Sequence, residues 1–336
     1  MTESRADATI NSGVSGVEPG RNADVDRWAR PAIILVATDL SDLERLMPFA
    51  LDQALQSGAR LVLLHALASA SAMSVDAVGM PYYDPSAALE FAEKTLMPWC
   101  ESARLHRITC DAVVREGHAS QQIEAAARQF KADRILLGTR SRSKLGKLLL
   151  GSVAEQVLRS VNLPVITVGP EAHLPVQSSF EERVVLHATT LRETSRPSAA
   201  LACRMASSLK AKLVLLNVLP PIDEMLHKGL PTGVDSAAMR ELGLLAEETG
   251  ADCCLEIEPL VVHGNPSIEI LAQAVERKAN LIVLGATHRS ALENLTRDRT
   301  VYQVLAHARC PVLSIREPMV THFENAAEHA AAGHQK

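Results

Sequence analysis

At 336 residues the chain exceeds what one hydrophobic core commonly supports, so two domains are expected. Apolar residues at 47% and charged residues at 22% suit a soluble globular protein, while a net charge of −5 and only 3% aromatics argue against nucleic acid as a partner. No apolar run reaches the ~20 residues of a membrane span, and the start lacks the basic-then-apolar layout of a secretory leader, so a cytoplasmic location away from membranes is expected.

Taken in chain order, residues 1–29 are rich in Ser, Gly, Asp and Asn without periodicity, which predicts a disordered tail. Short apolar runs then alternate with helical patterns. Strands are expected at Ile33–Thr38, Arg60–Ala66, Thr109–Arg115, Arg134–Gly138 and Pro164–Val168, separated by helices around Leu43–Ser57, Ser86–Arg104, Ser120–Phe130 and Ser152–Ser160. Continuously apolar strands between helices imply a parallel sheet covered on both faces, and right-handed crossovers make it doubly wound.

After residues 170–181, a linker by composition, the same order returns with strands at Arg183–Ala188, Lys212–Val218, Cys254–Val262, Leu281–Gly285 and Pro311–Ile315. The repetition is literal. Lys131-Ala132-Asp133-Arg134-Ile135-Leu136-Leu137-Gly138 reappears as Lys278-Ala279-Asn280-Leu281-Ile282-Val283-Leu284-Gly285, an offset of 147 residues. Gly117 falls on Gly264 and Pro164-Val165 on Pro311-Val312 at that offset, while Ala37-Thr38 and Ala188-Thr189 match at an offset of 151. The expected organisation is therefore a tail (1–29), a first domain (31–169), a linker (170–181), a second domain (182–316) and a tail (317–336). The final apolar strands of the two copies are expected to approach each other about a pseudo-twofold axis, which would cover edges prone to aggregation. A further homodimer stays open at this stage.

Doubly wound sheets bind ligands beyond the carboxyl ends of their strands, where the winding reverses. In the order 3-2-1-4-5 that crevice lies between the first and fourth strands, which end at Asp39 and Gly138. Gly138 has no side chain to block a ligand's approach to the backbone. Gly151 and Ser152 open the next helix, whose free N–H groups and positive dipole end suit a phosphate. Between them Arg140, Arg142, Lys144 and Lys147 make the loop basic.

This arrangement resembles the nucleotide-binding signature of universal stress proteins, G-x2-G-x9-G-[ST]. Gly138 fills its first glycine, Gly151 its third and Ser152 its hydroxyl position, while Ser141 replaces the second glycine. Asp39-Leu40-Ser41 and the Val114–Gly117 turn also fit, and the likeness spans about 31–168 and 182–316. The resemblance implies an adenine-nucleotide α-hydrolase-like fold and a non-enzymatic stress-response module. ATP or another adenine nucleotide would sit in the first copy, with Mg as the ion that can accompany it. Asp39, Gly138, Arg140, Ser141, Gly151, Ser152 and Val153 are the candidate contacts; no catalytic residue or metal ligand is assigned. Ser141 has two physical readings: about 1 kcal/mol of strain if the glycine used positive φ, or a side chain filling ligand space.

The second copy departs further. Thr190 replaces Asp39, His288 stands at the second glycine, and Asp298-Arg299 replaces the Gly-Ser pair. Asp298 is read as an N-cap that would occupy the free N–H groups and repel a phosphate. The second copy is expected not to bind ATP and to serve a structural or partner-binding role. Two other readings remain: a slow ATPase or nucleotidyl-transfer enzyme using the first crevice, with Asp39 its only obvious carboxylate, and a ligand-free adaptor for unidentified protein partners. The six cysteines form no CxxC pair and are read as buried free thiols.

Overall fold

The computed structural model describes residues 19–68, 84–139, 150–172, 182–223, 233–251, 255–287 and 297–317. Both halves are α/β. In the first, β1 (Ile33–Thr38), β2 (Arg60–Leu67), β3 (Cys110–Glu116), β4 (Arg134–Gly138) and β5 (Val165–Val168) alternate with α2 (Leu43–Ser57), α3 (Pro85–Leu105), α4 (Ala119–Gln129) and α5 (Ser152–Ser160). In the second, β6 (Arg183–Ala188), β7 (Ala211–Leu219), β8 (Ile257–His263), β9 (Leu281–Thr287) and β10 (Val312–Glu317) alternate with α6 (Arg196–Leu209), α7 (Val234–Gly250), α8 (Pro266–Glu276) and α9 (Arg297–His307). The ten strands form one sheet in the order β3-β2-β1-β4-β5-β10-β9-β6-β7-β8. Each half thus has the 3-2-1-4-5 winding, all parallel within itself. Among the described residues no helix is long and apolar enough to cross a membrane.

The halves meet where β5 and β10 pair antiparallel, Val312 opposite Thr167 and Leu313 opposite Ile166. Two inner edges that would otherwise expose unpaired backbone are closed by this pairing. Side chains reinforce the seam: Arg316 donates to Asn162 Oδ1 at 2.9 Å and to the Arg159 carbonyl at 2.8 Å, and Arg159 Nε to the Tyr302 hydroxyl at 3.1 Å.

Helices on both faces explain why the central strands are apolar at successive positions rather than alternate ones. On one face a single core runs through both halves, from Ile34, Val36 and Leu61 to Val185, Leu213 and Leu313. The other face carries two cores, one under α4 and α5, the other under α8 and α9, with Leu150 and Leu158 packing against both. Each fully buried aliphatic side chain contributes roughly 1.5–3 kcal/mol by leaving water.

The expected tail 1–29 needs correction. Residues 1–18 lie outside the described residues, but Pro19–Ala29 form a helix, α1, with Val25 and Ala29 buried. Its anchor is tertiary. Arg134, the first residue of β4, is completely buried, and its guanidinium donates to Gln53, to the carbonyl of Trp28 and, at 3.5 Å, to that of Ala29. A buried cation thus satisfies carbonyls at the C-terminal, negative end of α1. Burial pulls the Arg134 pKa down to about 10. Asp26 adds an ion pair with Arg204 of α6 at 3.0 Å, so α1 bridges the two halves. No hydrophobic period announces this helix, which is why its sequence reads as unstructured.

Candidate functional site

The carboxyl ends of β1 and β4, where the winding of the first half reverses, border a crevice of about 270 Å³. Ala37, Thr38, Leu137 and Gly138 form its floor, Leu64 and His65 of β2 and Ala119 and Ile123 of α4 one wall, and Gly151–Ala154 the other. Of the expected contacts, Asp39, Gly138, Gly151, Ser152 and Val153 come together here. Arg140 and Ser141 lie outside the described residues, as do Arg142, Lys144 and Lys147.

Gly151 occupies the N-cap position of α5 in an extended conformation, with no side-chain cap. Its own N–H donates to the Thr139 carbonyl at 3.0 Å, and its carbonyl accepts the first helical bond from the Glu155 N–H at 2.9 Å. The N–H groups of Ser152, Val153 and Ala154 precede that bond and have no partner within the helix. They border the crevice, so its wall carries a cluster of donors and the positive end of a helix dipole.

Asp39 is exposed at the rim, its Oδ1 accepting from the Ser41 N–H at 2.9 Å and the Ser41 hydroxyl at 2.7 Å. Sequence reasoning missed the carboxylate behind it. Asp42 is buried and accepts from the Thr38 hydroxyl at 2.6 Å, with Arg45 Nη2 3.9 Å from its other oxygen. Burial raises the Asp42 pKa above its ordinary value, and the nearby Asp39 charge adds to this, while the Thr38 hydrogen bond and Arg45 oppose it.

Asp42 also explains Gly138. A Cβ on Gly138 would lie 2.4 Å from Asp42 Oδ2 and 3.1 Å from Arg45 Nη2. The room the glycine leaves is therefore taken first by the carboxylate rather than by a ligand. Asp42 stands where a capping residue of α2 would, but makes no side-chain cap. Its only trace in the sequence is the i, i+4 spacing from Thr38.

His65 has a structural task that its match to Asn217 discloses. Its Nδ1 lies 2.9 Å from the Thr38 carbonyl, and Asn217 Nδ2 donates to the Thr189 carbonyl at 2.9 Å. Since a carbonyl only accepts, Nδ1 carries the proton. His65 is thus a clamp between neighbouring strand ends.

In the second half the helix facing the strand ends is built differently. Within the described residues α9 covers Arg297–His307, so Asp298 lies inside the helix rather than at an N-cap position before it. The earlier N-cap reading is corrected accordingly; the Asp298 side chain lies outside the described residues. Gly151, its counterpart, precedes α5, so the second helix extends back through that position. His288 also lies outside the described residues. Thr190, in place of Asp39, shares a hydrogen bond with Ser195 at 2.9 Å. Ser267, at the start of α8, bonds to Gln303 of α9 and ties those helices together.

The fold and this strand-end crevice define a doubly wound protein of the adenine-nucleotide α-hydrolase-like class, duplicated in tandem. The sequence model of the universal stress protein family matches residues 32–169 and again 182–316, and the chain belongs to that family. A universal stress protein of Thermus aquaticus is 33% identical over 138 residues, covering 40% of this chain and 96% of that protein. One from Methanocaldococcus jannaschii is 33% identical over 81 residues, 24% of this chain; the match spans only 45% of that relative. A crystal structure of a universal stress protein from Archaeoglobus fulgidus, 21% identical, superposes with a TM-score of 0.66 over 85% of this chain and 99% of that one, a likeness of fold.

Proposed function

We propose that the first copy binds an adenine nucleotide and that the protein acts as a non-enzymatic stress-response module, its second copy being a degenerate structural or partner-binding unit. The observation that carries this reading is the α5 N-terminus, open to the crevice and free of a side-chain cap. Phosphates would rest on the N–H groups of Ser152–Ala154 and the Ser152 hydroxyl, with Arg140 and Ser141 supplying the loop side. Leu64, Ile123 and Val153 offer apolar surface to a flat ring, and the Asp39 carboxylate offers an acceptor to ribose hydroxyls. Mg would come in with the nucleotide and screen its phosphates from Asp39.

The second copy would decline the ligand because its helix runs through the position of Gly151 and carries Asp298 there. In this reading the β5–β10 seam makes the chain an internal pseudo-dimer, bounded by the domains 31–169 and 182–316. Calorimetry on the full chain with ATP and AMP tests the proposal, together with assay of nucleotide released on denaturation. Nucleotide that binds, and is lost on Gly151→Asp, supports it. Turnover that disappears on Asp39→Ala would instead favour the enzyme, and no binding at any concentration the adaptor.

A further inference from the structure

Away from the crevice, the last turns of α3 and the first residue of β3 bring two thiols together. Cys100 and Cys110 are 0% and 1% exposed, and their sulfurs lie 2.9 Å apart. Both are free cysteines. Arg104, one turn beyond Cys100, donates to the Cys110 carbonyl at 3.0 Å, which holds a guanidinium beside the pair. The matching position of the second half is not a cysteine: Cys110 lies opposite Leu61 of β2, and in the corresponding register Ile257 lies opposite Leu213 of β7.

We infer that Cys100 and Cys110 form a redox couple that closes to an intramolecular disulfide when a small peroxide reaches it. The chemistry balances within the pair. The Cys100 sulfur, as thiolate, attacks one peroxide oxygen; the O–O bond breaks and one water leaves, giving a sulfenic acid. The Cys110 sulfur then attacks the Cys100 sulfur, the S–O bond breaks and a second water leaves. Two electrons pass from the two sulfurs to the peroxide, and both thiol protons end in water.

The surroundings suit those roles. The hydrogen bond from the Cys110 thiol lowers the Cys100 pKa, with Arg104 helping and burial opposing, while the same contact and burial raise that of Cys110. The sulfenic acid formed at Cys100 therefore meets its resolving thiol without chain movement. Burial sets the selectivity, since hydrogen peroxide is small enough to penetrate where bulky thiol reagents are not. The bond would tie the helix covering the sheet's outer edge to β3, the edge strand itself. A closed loop narrows the unfolded ensemble, so the oxidised protein is the more stable form.

Tryptic mapping without reduction tests this on the full chain. Arg104 and Arg107 separate the two cysteines, so their peptides stay together after digestion only through a disulfide. After hydrogen peroxide, alkylation and digestion, a linked pair two hydrogens lighter than the sum of its peptides is expected, separating on reduction. The oxidised wild type should melt a few degrees above the reduced protein, a shift absent in Cys110→Ser. Should that variant fail to fold, the wild-type map still decides. Peptides that remain unlinked at peroxide levels that oxidise free glutathione would overturn the inference. So would Cys100 recovered as sulfinic acid, or bonded chiefly to another cysteine.

Discussion

Thr38 ends β1 and Thr189 directly follows β6, and both shape the next turn alike, accepting the N–H of Leu40 at 2.9 Å and of Leu191 at 3.1 Å. Both leucines take positive φ, 71° and 57°. Gly117 and Gly264 repeat the same bond to the preceding strand, to the carbonyls of Leu67 and Leu219, at 2.9 Å in each case and with φ of 132° and 151°. The contrast lies one layer out. Asp42 is buried behind Gly138, whereas Glu193, at the corresponding place, is exposed and pairs with Arg196 at 2.8 Å. α5 starts after an uncapped glycine, whereas α9 is already helical at the matching position, Asp298. Turn geometry thus outlasts a change at the proposed ligand wall. A glycine shared by both halves is evidence of a turn before it is evidence of a ligand.

The largest expected effect comes from exchanging Arg134 for its counterpart Leu281. Arg134→Leu leaves carbonyls of Trp28 and Ala29 and the Gln53 amide without their donor, and should cost about 3–4 kcal/mol. Hydrogen exchange should show residues 19–29 losing protection first; retained protection would mean that apolar packing and the Asp26–Arg204 pair hold α1 without Arg134.

Next is His187, which stands at the register position of Val36. It is fully buried, bonds the Val283 carbonyl through Nδ1 at 3.0 Å, and leaves Nε2 without a partner. Burial lowers its pKa from 6.5 to about 4 despite that bond. The unfolded chain therefore binds the extra proton first. The penalty is absent above pH 6.5, grows as pH falls, and is complete below about pH 4. His187→Val should remove roughly 3 kcal/mol of acid destabilisation across that window, at ~1.4 kcal/mol per pH unit. Urea melts at neutral and acidic pH that respond equally to the substitution would show that His187 does not carry the term.

Gly151→Asp gives the first half the residue of the second. A carboxylate would compete for the α5 N–H groups and repel phosphate, weakening nucleotide binding about a hundredfold, or ~3 kcal/mol. Calorimetry reads this directly, and unchanged affinity would place the phosphates elsewhere. His65→Asn should change least, within ~0.5 kcal/mol in stability, because Asn217 already makes the same strand-end bond in the second half. A larger loss on denaturant unfolding would give His65 a role beyond the clamp.

Much of the architecture was legible in the chain itself. Strand and helix positions follow from apolar runs and 3.6-residue periods, which are local properties, and the duplication is written in collinear residues from Lys131 and Lys278 onward. Gly151 and Ser152 were legible as a helix start because their signal is also local. Asp42 was not: its burial behind Gly138 depends on where β4 passes α2, and no spacing in the sequence records that. Nor did α1 show itself, since its strongest anchor is a cation more than a hundred residues away.

By itself, then, the sequence determined two doubly wound units, the strand-end location of a crevice and the residues opening its helix wall, all features within reach of neighbouring positions along the chain. Tertiary structure alone decided that the expected approach of β5 and β10 is an antiparallel pairing within one ten-stranded sheet, that Arg134 docks α1, and that Cys100 and Cys110 touch. These are contacts between elements, set by how the sheet stacks its helices and closes its edges, and packing rather than local pattern fixes them.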